Sequence, residues 1–166
     1  MNDAAPRRRP ARILFACAGN ICRSPMAEAF LRREVEARPE LADLEVASAG
    51  VIAIPGNPAT PETVAVMRED HGLDLSGHRA RALEGEAADL VLTLDTWVTE
   101  RARRLGVIGR IELLGEYAGR TGEEVADPYL GPRDDYRGTA AHIERLVRAA
   151  ADRLAREMQE VRDGRA

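Results

Sequence analysis

The sequence of 166 residues has only two cysteines, no lysine and no long apolar run. Cys17 and Cys22 lie five positions apart, which is no framework for a disulfide-bonded secreted domain. No apolar run approaches the length of a membrane span, and residues 13–18 are too few for the core of a signal peptide. These absences predict a cytoplasmic protein that has no membrane partner.

The charge balance argues against nucleic acid as a partner, because the formal net charge is −4 and the pI is near 5.5. All 24 basic residues are arginine, which we attribute to the base composition of the genome. The composition, 45% hydrophobic and 31% charged, is ordinary for a soluble globular protein, and the length predicts one domain. We expect a flexible basic tail over residues 1–11 and a single domain over residues 12–162.

Short apolar runs bounded by turn residues alternate with helical patterns, and this alternation predicts an α/β domain. The predicted strands are residues 13–16, 44–47, 90–94 and 111–114. The predicted helices are residues 61–71, 96–104 and 143–161, with a further helix beginning at Ser24 as N-cap, ahead of Pro25. The expected architecture is a three-layer, doubly wound, flavodoxin-like fold. Its four-stranded parallel sheet has the order 2-1-3-4 and helices on both faces.

The stretch between the first strand and the first helix, residues 17–25, reads CAGNICRSP. A loop at the carboxyl end of a parallel strand and at a helix N-terminus offers N–H groups to an anion. We expect Gly19 to let the backbone curl so that these groups converge. The same field, with Arg23 nearby, favours a thiolate at Cys17 without a separate base. Arg23 can bind two phosphate oxygens at once.

A buried structural cysteine is the alternative interpretation of Cys17, and the spacing from Cys17 to Arg23 is weak evidence in an arginine-rich chain. The glycine, asparagine, serine and proline of the loop favour the anion site, because they are unusual in a core strand.

The segment 17–28, CAGNICRSPMAE, resembles the signature loop of the low-molecular-weight protein tyrosine phosphatases. The likeness continues in the family's order through SAG at 48–50, HGL at 71–73, SGH at 76–78, LTLD at 92–95, IELL at 111–114 and DPY at 127–129. It covers the chain from residue 12 to the final helix. The resemblance implies a cysteine-dependent phosphatase that hydrolyses protein phosphotyrosine through a phosphocysteine intermediate and needs no cofactor.

The resemblance also implies a role for individual residues. In the catalytic group, Cys17 is the nucleophile, Arg23 binds the phosphate, Asp127 is the proton donor, and Ser24 stabilises the leaving thiolate. The implied substrate-binding residues are Ala18, Gly19, Asn20, Ile21, Cys22, Ile54 and Tyr129. A supporting shell that holds the loop by hydrogen bonds comprises Asn20, Ser48 and His78. The three histidines and two cysteines form no ligand cluster, so we expect no metal site.

The substrate is ambiguous between two branches of that family. Ile21 favours phosphotyrosine, because the arginine-specific members carry threonine there. Ile54 stands about where tyrosine-specific members often have an aromatic wall, which leaves protein-arginine phosphatase as the alternative. In either case the expected partner is a phosphorylated protein, and the enzyme is expected to be a monomer or weak dimer.

Two further classes fit the sequence less well. Arsenate reductases of this fold relay a disulfide through a downstream cysteine pair, and this chain has no cysteine beyond Cys22. A phosphate-binding pseudoenzyme would have lost Cys17, Arg23 or Asp127. Cys22 either packs the loop or, as the family implies, protects oxidised Cys17 in a reversible disulfide. Intact mass after peroxide decides between these: a loss of two daltons that thiol reverses is required for the disulfide.

Overall fold

The computed structural model describes residues 11–165. The predicted basic tail therefore lies outside the described residues, apart from Ala11. The division into a tail and one domain over residues 12–162 stays a prediction.

Four parallel strands form one sheet. They are β1 (Arg12–Cys17), β2 (Glu45–Gly50), β3 (Ala87–Thr93) and β4 (Ile108–Leu113). The order is β2-β1-β3-β4, which confirms the predicted order 2-1-3-4. The register places Cys17 beside Gly50 and Ala16 beside Thr93, so the loops that follow β1, β2 and β3 meet at one edge of the sheet. Ligands of open parallel sheets bind at this edge.

The helices lie on both faces of the sheet, as predicted. They are α1 (Arg23–Ala37), α2 (Pro61–His71), α3 (Thr96–Arg104), α4 (Leu114–Tyr117) and α5 (Arg133–Arg162), with a 3₁₀ turn at Pro39–Leu41. Alternate residues of a strand point to opposite faces. Accordingly, Ile13 and Phe15 belong to the core shared with α1 and α5, whereas Leu14 and Ala16 belong to the core shared with α3. This buried strand fixes the position of Cys17 at its end.

The bounds of the four strands differ from the predicted ones by one to three residues at each end, and three further differences concern the helices. Ser24 is not an N-cap, since α1 begins at Arg23 and its cap position is Cys22, with no capping side-chain hydrogen bond. Leu114 begins the short α4 instead of ending β4. The last helix starts ten residues before Ile143, at Arg133. The predicted end of α2 is confirmed, because Gly72 follows it with φ 67°, a left-handed conformation that glycine adopts readily.

Candidate active site

The predicted nucleophile, Cys17, is the last residue of β1 and is 3% exposed. Its Sγ lies 2.9 Å from the Ser24 hydroxyl and accepts a hydrogen bond from the Asn20 backbone N–H at 3.3 Å. Residues 18–22 curl around this sulfur before α1 begins. The sulfur therefore sits inside its own loop, near two groups able to stabilise negative charge on it.

Asn20 is the loop residue with a left-handed backbone. The φ of Asn20 is 56°, whereas the φ of Gly19 is not positive. Asparagine tolerates this conformation better than most residues because its short polar side chain bonds locally. The expectation that Gly19 lets the backbone curl stays a prediction.

Buried hydrogen bonds fix Asn20 on several sides. Its Nδ2 donates to the hydroxyls of Ser24 (2.8 Å) and Ser48 (2.9 Å), and its Oδ1 accepts from the backbone N–H of Arg81 (2.9 Å). His78 Nε2 lies 2.7 Å from the Asn20 carbonyl oxygen. Ser48 and His78, predicted to support the loop, are thus both in contact with Asn20. Buried polar groups that find all their partners rigidify a site.

Arg23 is 2% exposed and is held by acceptors from two later loops. Its Nη1 donates to Asp95 Oδ2 at 2.6 Å and to the Val125 carbonyl at 2.9 Å, and its Nη2 lies 3.5 Å from Asp127 Oδ2. Burial disfavours the charged guanidinium. The Asp95 bond and the charges of Cys17 and Asp127 outweigh burial, so the pKa of Arg23 is raised. A permanently charged, oriented group therefore faces the site.

Asp127 lies in the loop between α4 and α5, with its side chain 46% exposed. Its Oδ1 accepts a hydrogen bond from the backbone N–H of Tyr129 at 3.1 Å, which sets the direction of the carboxylate. Cys17, Arg23 and Asp127 line one cavity of about 280 Å³. The fold therefore brings together the thiol, cation and carboxylate that the sequence prediction grouped.

The same cavity includes most of the predicted substrate-binding residues. Ala18, Gly19, Ile21, Cys22, Ile54 and Tyr129 all line it. Asn20 does not line it, being fully buried behind the loop. At the mouth, Ile54 is 67% exposed and Tyr129 is 53% exposed. The cavity thus has a polar floor and an apolar mouth, a combination suited to a charged group on an apolar stem.

Cys22 lies in a different environment from Cys17. Its Sγ is 3.6 Å from Thr60 Oγ1 and 4.0 Å from the Tyr136 hydroxyl. Burial raises the pKa of Cys22, and burial also raises the pKa of Tyr136 to about 12. Both groups are consequently neutral near pH 7, so Cys22 does not compete as a thiolate. Its redox role stays a prediction.

Several residues of the site were not assigned a role from the sequence. These are Ile52 and Asn57 in the cavity lining, Arg81 beside Asn20, and Asp95 and Val125 beside Arg23. The sequence could have indicated a role for Asp95, because this residue comes two positions after β3, the strand that pairs with β1. Val125 and Arg81 act through backbone atoms, for which a sequence carries no signal.

Neither a metal site nor a membrane-spanning helix is found in the described part of the chain. Within residues 11–165, no group of three His, Cys, Asp or Glu side chains could hold a metal ion. Over the same residues, no helix combines the length and apolar character needed to cross a bilayer.

Comparison with known proteins places this site in a family. Residues 12–160 match the family described as "Low molecular weight phosphotyrosine protein phosphatase". The chain belongs to this family. It is therefore a cysteine-dependent phosphatase, and Cys17 stands at the loop where such an enzyme needs its thiol.

Relatives of this phosphatase carry two kinds of name. The "Probable low molecular weight protein-tyrosine-phosphatase EpsP" of Ralstonia nicotianae is 38% identical over 147 residues, covering 86% of this chain and 94% of that protein. The "Protein-arginine-phosphatase" of Geobacillus stearothermophilus is 34% identical over 157 residues, covering 90% and 97%. The YwlE arginine phosphatase was solved with its active-site cysteine replaced by serine, and that serine is phosphorylated. This structure is 34% identical, has a TM-score of 0.76 and covers 86% of this chain and 95% of its own.

Proposed function

We propose that this phosphatase hydrolyses phosphotyrosine in proteins, with Cys17 as nucleophile, Arg23 as phosphate-binding group and Asp127 as general acid. The observation that carries the proposal is the single cavity lined by all three side chains. The phosphorylated serine at the active site of the YwlE variant supports a covalent intermediate on Cys17, since it stands for the cysteine of that related enzyme.

In the first step, the Cys17 sulfur attacks phosphorus in line and the bond from phosphorus to the tyrosine oxygen breaks. Asp127 transfers its proton to that oxygen, so the leaving group departs as a neutral phenol. Arg23 and the N–H groups of the loop stabilise the three phosphoryl oxygens, whose charge is greatest in the transition state. The product of this step is phosphocysteine, with Asp127 ionised.

In the second step, Asp127 accepts a proton from a water molecule that attacks phosphorus. Inorganic phosphate leaves and the Cys17 thiolate is regenerated. The Ser24 hydroxyl, 2.9 Å from Sγ, donates a hydrogen bond to the departing sulfur and lowers the energy of this step. Asn20 positions that hydroxyl, because its Nδ2 donates to Ser24 Oγ and leaves the hydroxyl proton free for the sulfur.

The choice of phosphotyrosine rests on the mouth of the cavity. Ile21, Ile54 and Tyr129 offer apolar surface to an aromatic stem. The alternative, phosphoarginine, is favoured by the arginine-phosphatase relatives and by the lack of an aromatic side chain at position 54. Tyr129 is the only aromatic residue that lines the cavity within the described chain, so the stem is stacked on one side alone.

The deciding experiment compares kcat/KM on a phosphotyrosine peptide and a phosphoarginine peptide of the same sequence. Cys17→Ser serves as the blank. We expect faster hydrolysis of the phosphotyrosine peptide and a trapped phosphoenzyme in rapid-quench mass spectrometry. A preference for phosphoarginine would assign this chain to the alternative substrate. Hydrolysis of neither peptide above the blank would remove the proposed function.

The setting of the enzyme is part of the proposal. We infer that it acts in the cytoplasm, as a monomer or weak dimer, on a phosphorylated protein. Light scattering on the purified chain and fractionation of the source cells test these points. A tight dimer, or recovery outside the cytoplasmic fraction, would contradict them.

A further inference from the structure

Exposed apolar side chains concentrate around the active-site mouth. Six large apolar side chains of the described residues are at least half exposed. Four of them, Ile52, Ile54, Tyr129 and Leu130, belong to the two segments that border the cavity. Single exposed apolar residues are ordinary, but a contiguous group marks a binding surface.

Leu130 stands out within this group, because it is 86% exposed and its φ is 66°. It lies in a turn closed by the hydrogen bond from the Gly131 N–H to the Pro128 carbonyl at 2.8 Å. Glycine or asparagine adopts this left-handed backbone more easily than leucine does. Neither burial nor backbone preference accounts for a leucine at this position, which makes its side chain a candidate for contact with a bound molecule.

A second cavity lies beside Leu130 and could hold such a molecule. Its volume is about 420 Å³, and it shares Ile21, Asn57 and Tyr129 with the active-site cavity. Leu130 lines it together with Pro61 and Glu62 from the first turn of α2. Glu62 is the only charged residue among those that line it. The groove is thus continuous with the active site and largely apolar, and its single carboxylate disfavours an acidic side chain.

The groove on the other side of the general acid differs in character. It is lined by Asp95, Glu124 and Asp127, with Trp97 beside them. Carboxylates dominate it, so an apolar side chain would gain less there than in the groove beside Leu130.

We propose that the groove formed by Ile21, Pro61, Tyr129 and Leu130 binds the substrate residue adjacent to the phosphorylated one, and that it selects an apolar side chain. This inference rests on the proposed function, and it adds which protein sites are chosen. The lining shared at Ile21, Asn57 and Tyr129 gives a substrate whose phosphoryl group lies at Cys17 a continuous path from the cavity into the groove. The next side chain then meets Leu130.

The test uses phosphopeptides that differ only at the residues flanking the phosphorylated one, with leucine, serine or glutamate placed on either side. We expect leucine on one side to raise kcat/KM about tenfold over serine, since burial of a leucine side chain is favourable where serine gains little. Glutamate should be the poorest. If the leucine and serine peptides have equal kcat/KM whichever side carries the change, this result alone overturns the inference, and no protein variant is needed.

Leu130→Asn tests whether the groove causes the preference for leucine, because asparagine keeps the left-handed turn while removing the apolar side chain. We expect the leucine-to-serine ratio to fall to near one. Trp97→Ala, in the acidic groove, is the matched control and should keep the wild-type ratio. A ratio that persists in Leu130→Asn, or is lost in Trp97→Ala, would contradict the inference.

Hydrolysis of a small aryl phosphate separates the two proposals. It has no flanking residue, so it reports the active site alone. If the aryl phosphate is hydrolysed, and the phosphopeptides are hydrolysed at rates that do not depend on their flanking residues, the groove proposal fails and the phosphatase proposal stands. If nothing is hydrolysed above the Cys17→Ser blank, both fail.

Discussion

The loop over residues 17–24 and the rim over residues 52–54 and 127–131 enclose the same cavity, but they are built differently. Cys17, Asn20, Arg23 and Ser24 are all at most 3% exposed. In contrast, Ile54 and Leu130 are 67% and 86% exposed. In the proposed mechanism the thiol, the phosphate-binding guanidinium and the Ser24 hydroxyl are thus buried, fixed groups. The rim combines the half-exposed general acid, Asp127, with accessible side chains for substrate recognition.

The partners of the two regions differ as well. The loop is bonded to residues far along the chain, as Asn20 is to Ser48 and Arg23 is to Asp95. The rim is held by local bonds, such as the one from Tyr129 N–H to Asp127 Oδ1. A change among the buried side chains of the loop should therefore alter both catalysis and stability, whereas a change in the rim outside Asp127 should alter substrate choice.

Asp127→Asn gives the largest expected effect. Asparagine keeps the size of the side chain but cannot transfer a proton, so kcat on a phosphotyrosine peptide should fall by about 10²–10⁴-fold. The loss should be smaller on p-nitrophenyl phosphate, whose leaving group needs less protonation. Steady-state kinetics on both substrates measure this. An equal loss on the two would contradict a general-acid role.

Arg23→Lys is expected to lower kcat/KM by about 10²–10³-fold although the positive charge remains. Lysine cannot hold Asp95 and the Val125 carbonyl while presenting two donors to the phosphoryl oxygens. Inhibition by inorganic phosphate should weaken in parallel. Arg32→Lys, on the same helix with a side chain 60% exposed, is the control and should resemble the wild type. Similar kinetics of the two variants would remove the phosphate-binding role of Arg23.

Asn20→Ala tests whether the loop depends on its buried hydrogen bonds. The change removes three side-chain bonds and places alanine at φ 56°, so the free energy of unfolding should fall by about 2–4 kcal/mol. Ser48→Ala removes one of those bonds and should cost about 1 kcal/mol. Urea unfolding measures both, and kcat/KM should fall in the same order. If the two variants are equally stable, Asn20 is not the residue that holds the loop.

Ile21→Thr is the mildest change, because Ile21 is only partly buried and lines the mouth. It should raise the ratio of phosphoarginine to phosphotyrosine kcat/KM by about tenfold, since the aromatic stem loses an apolar contact. The urea midpoint should stay close to that of the wild type. Ile54→Thr makes the same chemical change in the rim. An identical shift in both variants would assign the effect to general polarity of the mouth.

Local patterns were sufficient to predict a mainly parallel sheet and the positions of the main helices, whereas the grouping of Asp127 with Cys17 and Arg23 depended on the family resemblance. The errors occur where tertiary contacts override local preference. Ser24 has a good N-cap side chain, but its hydroxyl contacts Cys17 and Asn20 from inside the helix. The part played by Val125 was not predictable, because any residue supplies a backbone carbonyl. Leu130 was missed because an exposed leucine in a loop has no sequence pattern that distinguishes it.

The acceptors of Arg23 lie 72 and 102 residues further along the chain, at Asp95 and Val125. Consequently, a ribosome-bound chain that has not yet released residue 125 contains the whole signature loop but cannot orient its arginine. Contacts so distant in sequence form late in folding. A nascent chain therefore presents a complete Cys17 loop well before Arg23 can be oriented to bind phosphate.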